Sequence, residues 1–254
     1  MSKRDDVKKY YEWSSTIQRI VSYSFVINTF SAFLLLVISE KLLVVCVIIQ
    51  LVAIFLNIVL NWVDDTIIFP NAEKSRRKVN IDNSFGINTT MDKTDGYYNN
   101  ELDPSIEKLI LNNFENIYFT MNIAKKMVFK EVIKTLIALI VLIIVFNLFS
   151  GTEIILLVFQ IVFSGSYLLG LASFLIYFCQ VKELYENFYQ SLITENYYSE
   201  KLIIRLLGLS VEYEIIKGSH RIKLSTKIFN QLNSTLSQSW DELQKESLFY
   251  KKKR

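Results

Sequence analysis

The chain has 254 residues, a formal net charge of +3 and 51% hydrophobic side chains. This hydrophobic fraction, with a positive mean hydropathy, disfavours an ordinary soluble domain and favours a membrane protein. Seven Gly and two Pro are few for this length, which predicts long uninterrupted elements and an all-α fold. The sequence contains none of the nucleotide-binding, zinc-protease or nucleophile-elbow motifs of known catalytic centres. We therefore expect no catalytic residues, no metal and no cofactor.

The first two apolar segments predict a transmembrane hairpin over residues 20–63. Residues 20–38 and 42–63 contain no charge, Pro or Gly. Each segment is long enough to cross a hydrocarbon core of about 30 Å, because a helix rises about 1.5 Å per residue. Only Ser39, Glu40 and Lys41 separate them. Residues 1–19 carry basic and aromatic side chains and predict an N-terminal interfacial segment.

A cytoplasmic middle segment is predicted over residues 64–134. Asp64 and Asp65 end the second span, and the polar stretch that follows, to about Asp103, is predicted to be loop or short irregular structure. Asp103 and Pro104 are suited to the first positions of a helix. An apolar stripe at helical spacing follows with no breaker before the third span. We expect one long helix that runs from the cytoplasm into the bilayer.

A second transmembrane hairpin is predicted over residues 135–181, with spans at 135–149 and 154–181 and a tight turn between them. The fourth span is expected to continue as an amphipathic helix into a cytoplasmic C-terminal helical region, residues 182–254. The last helical stretch of that region has apolar residues at helical spacing, namely Ile228, Leu232, Leu236 and Leu243. The predicted fold is thus all-α, with four transmembrane helices in two hairpins and long helical cytoplasmic extensions.

Basic residues predict the orientation of this arrangement. Of the 28 Lys and Arg residues, 5 precede the first span, 10 lie between spans two and three, and 12 follow span four. Only Lys41 lies in a hairpin connection. Because cytoplasmic segments carry the excess of Lys and Arg, both termini and the middle segment are predicted to be cytoplasmic.

Uncharged polar residues recur at helical spacing in the apolar segments, and these are the candidate pore-lining or helix-packing residues. At about 100° per residue they fall on one face of each helix. They are Ser24, Asn28 and Ser31 in the first span, Gln50, Asn57 and Asn61 in the second, and Gln160 and Ser164 in the fourth. Amides and hydroxyls hold neighbouring helices together in a bilayer, and they can also line an aqueous path in an oligomer, so both roles stay open.

The interiors of the predicted spans contain no ionisable residue. Transporters and proton pumps usually place one near the middle of the membrane, and discontinuous helices usually accompany coupled ion sites. A coupled transporter is therefore disfavoured, which leaves a weakly selective pore, a membrane-disrupting assembly or an anchor.

The layout of the chain and three short motifs resemble a known family. AEKSRRKVNIDNSFG follows the second span, and GYYNNE and FENIYFT precede the third. With the two hairpins, these motifs are similar to the SMODS-associated four-transmembrane effectors, pore-forming effectors of bacterial anti-phage defence. The family's pattern of an Ala, a charged run, an Asp and an aromatic residue matches Ala72, Arg76, Arg77, Asp82 and Phe85.

The resemblance implies an inner-membrane effector that oligomerises and permeabilises the membrane on a cytosolic signal, in abortive infection of the CBASS type. The implied partners are membrane lipid, further copies of the chain, and either a cyclic oligonucleotide second messenger or a cytosolic defence protein; no direct DNA binding is expected. A membrane-anchored adaptor or sensor that docks a cytosolic partner is the alternative. A lipid-modifying enzyme has the least support, because no cluster of ionisable residues suits it.

Basic and aromatic residues after the second span are the ligand-binding candidates, should such a messenger bind. Guanidinium groups match phosphate oxygens, and tyrosine rings can stack on bases. The candidates are Lys74, Arg76, Arg77, Lys78, Tyr97 and Tyr98. The alternative is that these basic residues attract anionic lipid and fix the topology. Asp82 is predicted to be a structural cap or an ion-pair partner.

Overall fold

The computed structural model describes residues 4–34, 40–148, 167–195 and 197–253, and helices account for 84% of them. The all-α prediction is confirmed, apart from an antiparallel pair of two-residue strands, β1 (Arg4–Asp5) and β2 (Thr94–Asp95). Three predictions fall outside the described residues: the end of the first span and its turn, the turn between spans three and four, and Gln160 and Ser164.

The first two helices form a hairpin of α1 (Lys8–Leu34) and α2 (Glu40–Val63). The buried residues of α1 are mostly small or polar and recur at intervals of seven, three and seven, as Ser14, Val21, Ser24 and Ser31. On α2 the buried positions are the small residues Cys46 and Ala53. The rest of the α2 surface exposes large apolar side chains along its whole length. The hairpin thus has a narrow small-residue contact and a broad apolar exterior.

The predicted loop after the second span is wrong for residues 64–85. The chain passes through a π-helical turn (Asp64–Ile68) and continues as α3 (Phe69–Phe85). Phe69 donates its backbone N–H to the Asp64 carbonyl across the turn. Pro70 has no N–H and its ring clashes with a carbonyl in a regular helix, and the wider turn accommodates it. Gly86, at φ 66°, ends α3 in the left-handed conformation that glycine tolerates.

Apart from β2, the chain from Gly86 to Ser105 is irregular, and its two ends lie against each other. A Cβ on Gly86 would lie 3.2 Å from Cγ of Pro104, so the two ends of the loop are in close contact. The Ser105 backbone N–H donates to the Ser84 carbonyl at 2.9 Å. Ser105 also caps the next helix, because its Oγ accepts from the Lys108 N–H at 3.2 Å. The predicted start at Asp103 and Pro104 is therefore wrong: the helix begins at Ile106, with Ser105 as its cap.

The predicted long helix is confirmed as α4 (Ile106–Leu148), 43 residues without a break. Its first half is buried among other helices, whereas its second half exposes large apolar side chains. The next described helix, α5 (Tyr167–Tyr189), has the reverse order, with exposed apolar residues first and buried ones after Phe174. A π-helical turn, Gln190–Thr194, ends it, which confirms that the fourth segment continues beyond residue 181 as a helix.

Three further helices complete the structure: α6 (Glu200–His220), α7 (Thr226–Lys245) and α8 (Leu248–Lys253). The last predicted helical stretch corresponds to α7, and α6 lies within the predicted C-terminal helical region, although the bounds of this helix were not predicted. Ser199 caps α6 by accepting from the Leu202 N–H at 3.2 Å. The buried halves of α4 and α5 pack with α6, α7 and α8 around one apolar core. At its centre Phe114 stacks on Phe188, with ring centroids 5.4 Å apart, and meets Trp240 edge-on at 5.3 Å.

Two helical stretches among the described residues are long and apolar enough to cross a membrane, Leu42–Phe85 and Leu168–Thr194. Only 11% and 22% of their most apolar windows are buried, whereas the core helix of a soluble protein is mostly buried. The structure therefore has a packed body from which helices with exposed apolar side chains extend.

Candidate functional site

The predicted polar residues of the first hairpin lie in the contact between α1 and α2. Asn57 donates its side-chain amide to the Val21 carbonyl at 3.4 Å, and Asn61 donates to Oδ1 of Asn57 at 3.1 Å. Ser24 and Ser31 are buried on the facing side of α1. Asn28 and Gln50 are half-buried at helical spacing from these residues. The Asn57 amide thus bonds across the contact to α1 within one chain, whereas the Asn61–Asn57 hydrogen bond lies within α2.

The base of this hairpin is tied to the C-terminal part of the protein through the buried Asp64. Lys223 Nζ lies 2.5 Å from Oδ2 of Asp64 and 3.0 Å from Oδ1 of Asp65. Gln18 donates to Asp64 at 2.8 Å and to Asn61 at 3.3 Å. The polar contacts of the hairpin therefore continue from Asn57 down to Lys223.

Residues 220–225, which link α6 to α7, contact α4, α5 and the π-helical turn at the end of α2, and we call them the junction. Lys223 binds Asp64 and Asp65 at the end of α2. The Ser225 backbone N–H lies 3.3 Å from Sδ of Met127, near the midpoint of α4. His220 Nε2 lies 2.8 Å from the side-chain Oε1 of Gln180 on α5. The apolar parts of α2, α4 and α5 thus begin at one level of the molecule.

The predicted ligand-binding residues do not form a single patch. Arg76 is buried, donates to Asp5 Oδ2 at 2.9 Å, and stacks over Tyr97 with its guanidinium carbon 4.0 Å from the ring centroid. Tyr98 is buried and meets Tyr97 edge-on at 4.9 Å. Burial opposes the charged form of Arg76, but the Tyr97 and Asp5 groups outweigh it and raise its pKa. Arg76, Tyr97 and Tyr98 are thus brought together around an internal ion pair.

The other basic residues of α3 lie in different environments from Arg76. Arg77 pairs with Glu214 of α6 at 3.3 Å, and Lys74 and Lys78 are exposed. Asp82 accepts hydrogen bonds from Thr89 and Thr90 at 2.6–3.0 Å, which confirms its structural role. A surface pocket of about 290 Å³ lies beside it, lined in part by Asp92 and Lys93.

A largely buried ion pair between α3 and α6 was missed by the sequence analysis. Lys217 Nζ contacts a carboxylate oxygen of Glu73, and these two side chains are 19% and 13% exposed. Tyr11 donates its hydroxyl hydrogen to the other Glu73 oxygen at 2.8 Å. A signal was present in the sequence: Lys217 lies four residues after Tyr213, on the buried face of α6, where a charge requires a partner.

The Glu73–Lys217 pair shifts the pKa values of both groups. Burial would raise the pKa of Glu73, but the positive charge and hydrogen bond of Lys217 outweigh burial and lower it. Burial would lower the pKa of Lys217, and the negative charge of Glu73 outweighs it and raises that pKa well above its ordinary value. Burial and the charge of Glu73 together raise the pKa of Tyr11. All three groups therefore keep the protonation state that their contacts require at neutral pH.

Buried asparagine side chains join α3 to α4 beside this ion pair. Asn80 donates to Oδ1 of Asn113 at 2.8 Å, and Asn112 donates to Oδ1 of Asn80 at 3.0 Å and to Oγ of Ser84 at 3.0 Å. Such amides are costly to bury unless they are hydrogen-bonded. The network therefore fixes the α3–α4 contact in one arrangement.

These clusters define one candidate region, which runs from the hairpin base through the junction to the α3–α6 ion pair. Within residues 4–34, 40–148, 167–195 and 197–253, no group of three or more His, Cys, Asp or Glu side chains is placed to hold a metal ion. Comparisons of the chain with protein-family models, with curated proteins and with solved structures found no match.

Proposed function

We propose that this chain is a multi-pass protein of the bacterial inner membrane that assembles as a homo-oligomer and permeabilises the membrane when triggered from the cytosol. In this proposal four helices cross the bilayer as two hairpins, and the packed body lies on the cytosolic side with both termini. The fold and the site support it, and the resemblance of its layout to four-transmembrane effectors supplies the defence context.

The observation that carries the proposal is the single level at which the apolar helices begin. Above the junction, α2, the second half of α4 and the first half of α5 expose large apolar side chains. Below it, the body buries an aromatic core and several ion pairs. Exposed apolar surface of this extent is stable in lipid and is a liability in water. A boundary of this kind is expected where a protein enters the bilayer.

The junction also offers a route by which a cytosolic event can reach the membrane. Lys223 is bonded to the end of α2, and it directly follows α6, whose Lys217 is paired with Glu73 on α3. A shift of α6 within the body would therefore pull on the base of the first hairpin. A switch requires two alternative arrangements of the contact between the junction and the end of α2. The charged side chains of these ion pairs can exchange partners and so form a second arrangement.

The trigger implied by the resemblance is a cyclic oligonucleotide, with a cytosolic defence protein as the alternative. Lys74, Arg77 and Lys78 are the candidates that a phosphate can reach on α3, because they are exposed, whereas Arg76 is buried and paired with Asp5. A messenger that uses Arg76 and Tyr97 would first have to displace Asp5. Phage challenge is therefore a better first trigger in the experiment than any single nucleotide.

Expression in bacterial cells loaded with a membrane-potential dye tests this function. We expect the wild-type chain to depolarise the cells on phage challenge, and the triple variant Gln50→Leu/Asn57→Leu/Asn61→Leu to fail, because it removes the polar groups of the second span. Membrane fractionation checks that the variant is still inserted. The control, Ile48→Leu/Phe55→Leu/Ile58→Leu, changes exposed apolar residues of the same helix and is expected to behave as wild type.

Two results would contradict the proposal. The first is an inserted wild-type chain that leaves the membrane potential unchanged during phage challenge and overexpression. The second is an inserted triple variant that still depolarises cells on phage challenge as the wild type does, since the proposed aqueous path needs the polar groups of the second span.

A further inference from the structure

An unusual apolar surface lies on the outer face of α6, in the cytosolic body. Ile204, Val211 and Ile215 are 63%, 60% and 63% exposed. Gly208 and Gly218 lie between and after them, and a Cβ added to either glycine would have nothing within 4 Å. At 100° per residue these five positions span about 80° of the helix surface. We call them the α6 seam.

The seam is separate from the face that packs α6 into the body. Leu202, Leu206 and Tyr213 are buried on that inner face. A helix on the surface of a soluble body usually has one apolar face and a polar outside, whereas α6 is apolar on both. The seam positions follow one another at spacings of four, three, four and three, which is the a/d pattern of helices that pack in pairs. The glycines would let a second helix approach closely.

We propose that the α6 seam pairs with the α6 seam of a second copy of this chain, with the two helices parallel. This inference rests on the proposed function, in which the copies share one membrane. The orientation of α6 carries the argument. The N-terminal end of α6 lies near the start of α4, because Tyr198, just before α6, donates its hydroxyl hydrogen to Glu107 at 2.6 Å. The C-terminal end of α6 is His220, which belongs to the junction. The helix thus points from the cytosol toward the bilayer, and two copies inserted the same way can bring these helices together only in parallel.

The charges beside the seam fit this parallel arrangement. With Ile204 and Val211 at d positions, Glu200 occupies g and Arg205 occupies the following e position. In a parallel pair, the g residue of one helix faces the e residue of the other, five positions later. Glu200 and Arg205 have opposite charges and both are exposed. Arg205 now pairs with Glu195 at 3.1 Å, with both side chains at least 40% exposed, and such a surface pair is weak enough to exchange.

The size of the seam indicates where this pairing would form. Stable dimers of soluble proteins bury about 1,200–2,000 Å² in total, and three apolar side chains on one helix supply much less. The exposed faces of the hairpins would add the remaining contact once two copies lie side by side in lipid. The pairing is therefore expected in the membrane and not between isolated bodies.

Disulfide crosslinking in isolated membranes tests the pairing. In a chain with Cys46→Ala and Cys179→Ala, Val211→Cys is expected to form a covalent dimer under mild oxidation, because equivalent d residues of a parallel pair lie within the range of about 4.4–6.8 Å that a disulfide requires between Cα atoms. Gln238→Cys, on the exposed face of α7, is the matched control and is expected to stay monomeric. Arg205→Glu should reduce the Val211→Cys dimer, and the swap Glu200→Arg/Arg205→Glu should restore it.

Three results would overturn the pairing: equal crosslinking of Val211→Cys and Gln238→Cys, no dimer of Val211→Cys in a chain that still depolarises cells, or an adduct of Val211→Cys with a different protein. The second result would contradict pairing through the α6 seam and would leave the proposed function intact. Recovery of the chain from the soluble fraction would instead contradict the proposed function, and with it the parallel pairing in the membrane that rests on it.

Discussion

Lys217→Met is expected to lower the free energy of unfolding by about 3 kcal/mol, because it leaves the largely buried Glu73 carboxylate without its positive partner. The ion pair lies between α3 and α6, and Tyr11 supplies the other hydrogen bond to Glu73. Denaturant unfolding of the detergent-solubilised chain, followed by tryptophan fluorescence, measures the loss. Lys201→Met is the matched control on α6: Lys201 is exposed, and its removal should change stability by about 0.5 kcal/mol or less.

The pH dependence of the free energy of unfolding distinguishes loss of the Glu73–Lys217 ion pair from poor packing of the new methionine side chain. The pKa of Glu73 lies below its ordinary value of 4.5, so its contribution is present above that pH and is lost as the pH falls through the lowered pKa. The double variant Glu73→Gln/Lys217→Met buries no charge, so it should recover part of the stability and lose less on acidification. Equal acid dependence of the double variant and wild type would contradict this account of the pair.

Trp240→Ala is expected to cost about 3–5 kcal/mol, as large-to-small substitutions of buried aromatic residues do. Trp240 is 0% exposed and lies with its ring centroid 5.3 Å from Phe114 and 5.7 Å from Tyr118. Its loss would open a cavity where α4 and α7 meet. Thermal unfolding monitored by circular dichroism measures the effect.

Trp13→Ala provides the comparison, since Trp13 is 53% exposed on α1. It should leave the melting temperature of the body nearly unchanged. If the two tryptophan variants melted at the same temperature, the body would not be the cooperative unit that its core indicates.

The elements that the sequence predicted well are those with one apolar stripe. The long α4, the continuation of α5 and the last helix α7 each repeat apolar residues at helical spacing without a breaker. Hydrophobic periodicity is the strongest local signal of a helix, and these helices follow it. The polar residues of the first hairpin were likewise expected on one face, and Asn57 and Asn61 share hydrogen bonds there.

The elements that the sequence missed have a different pattern. In α3 the buried positions include Arg76, Asn80 and Ser84 beside Phe69 and Val79, so the buried stripe is half polar and resembles a loop in composition. In α6 the apolar residues lie on both faces, which blurs the periodicity. Tertiary contacts determine the secondary structure of such segments, because an amide or a guanidinium can be buried only where a residue of another helix binds it.

The candidate ligand cluster shows why neighbours in sequence need not share a site. Four basic residues within five positions could converge in a loop. On a helix they are spread about 100° apart, and only positions three or four apart face the same side. The structure accordingly places Arg76 against Asp5 and Arg77 against Glu214. The Glu73–Lys217 pair joins residues far apart in the chain, so the position of Lys217 indicates that it needs a partner, but no local pattern identifies Glu73 as that partner.

Cysteine labelling in intact bacterial cells tests the central claim most directly, namely that the apolar helices cross the bilayer and the packed body faces the cytosol. In a chain with Cys46→Ala and Cys179→Ala, Met91→Cys places a thiol at a side chain that is 98% exposed in the loop after α3. In intact spheroplasts, a membrane-impermeant maleimide should label Ser39→Cys, which lies in the predicted external turn. The same reagent should label Met91→Cys only after the membrane is opened. Labelling of Met91→Cys in intact spheroplasts, or recovery of the chain in the supernatant after alkaline extraction, would contradict the account.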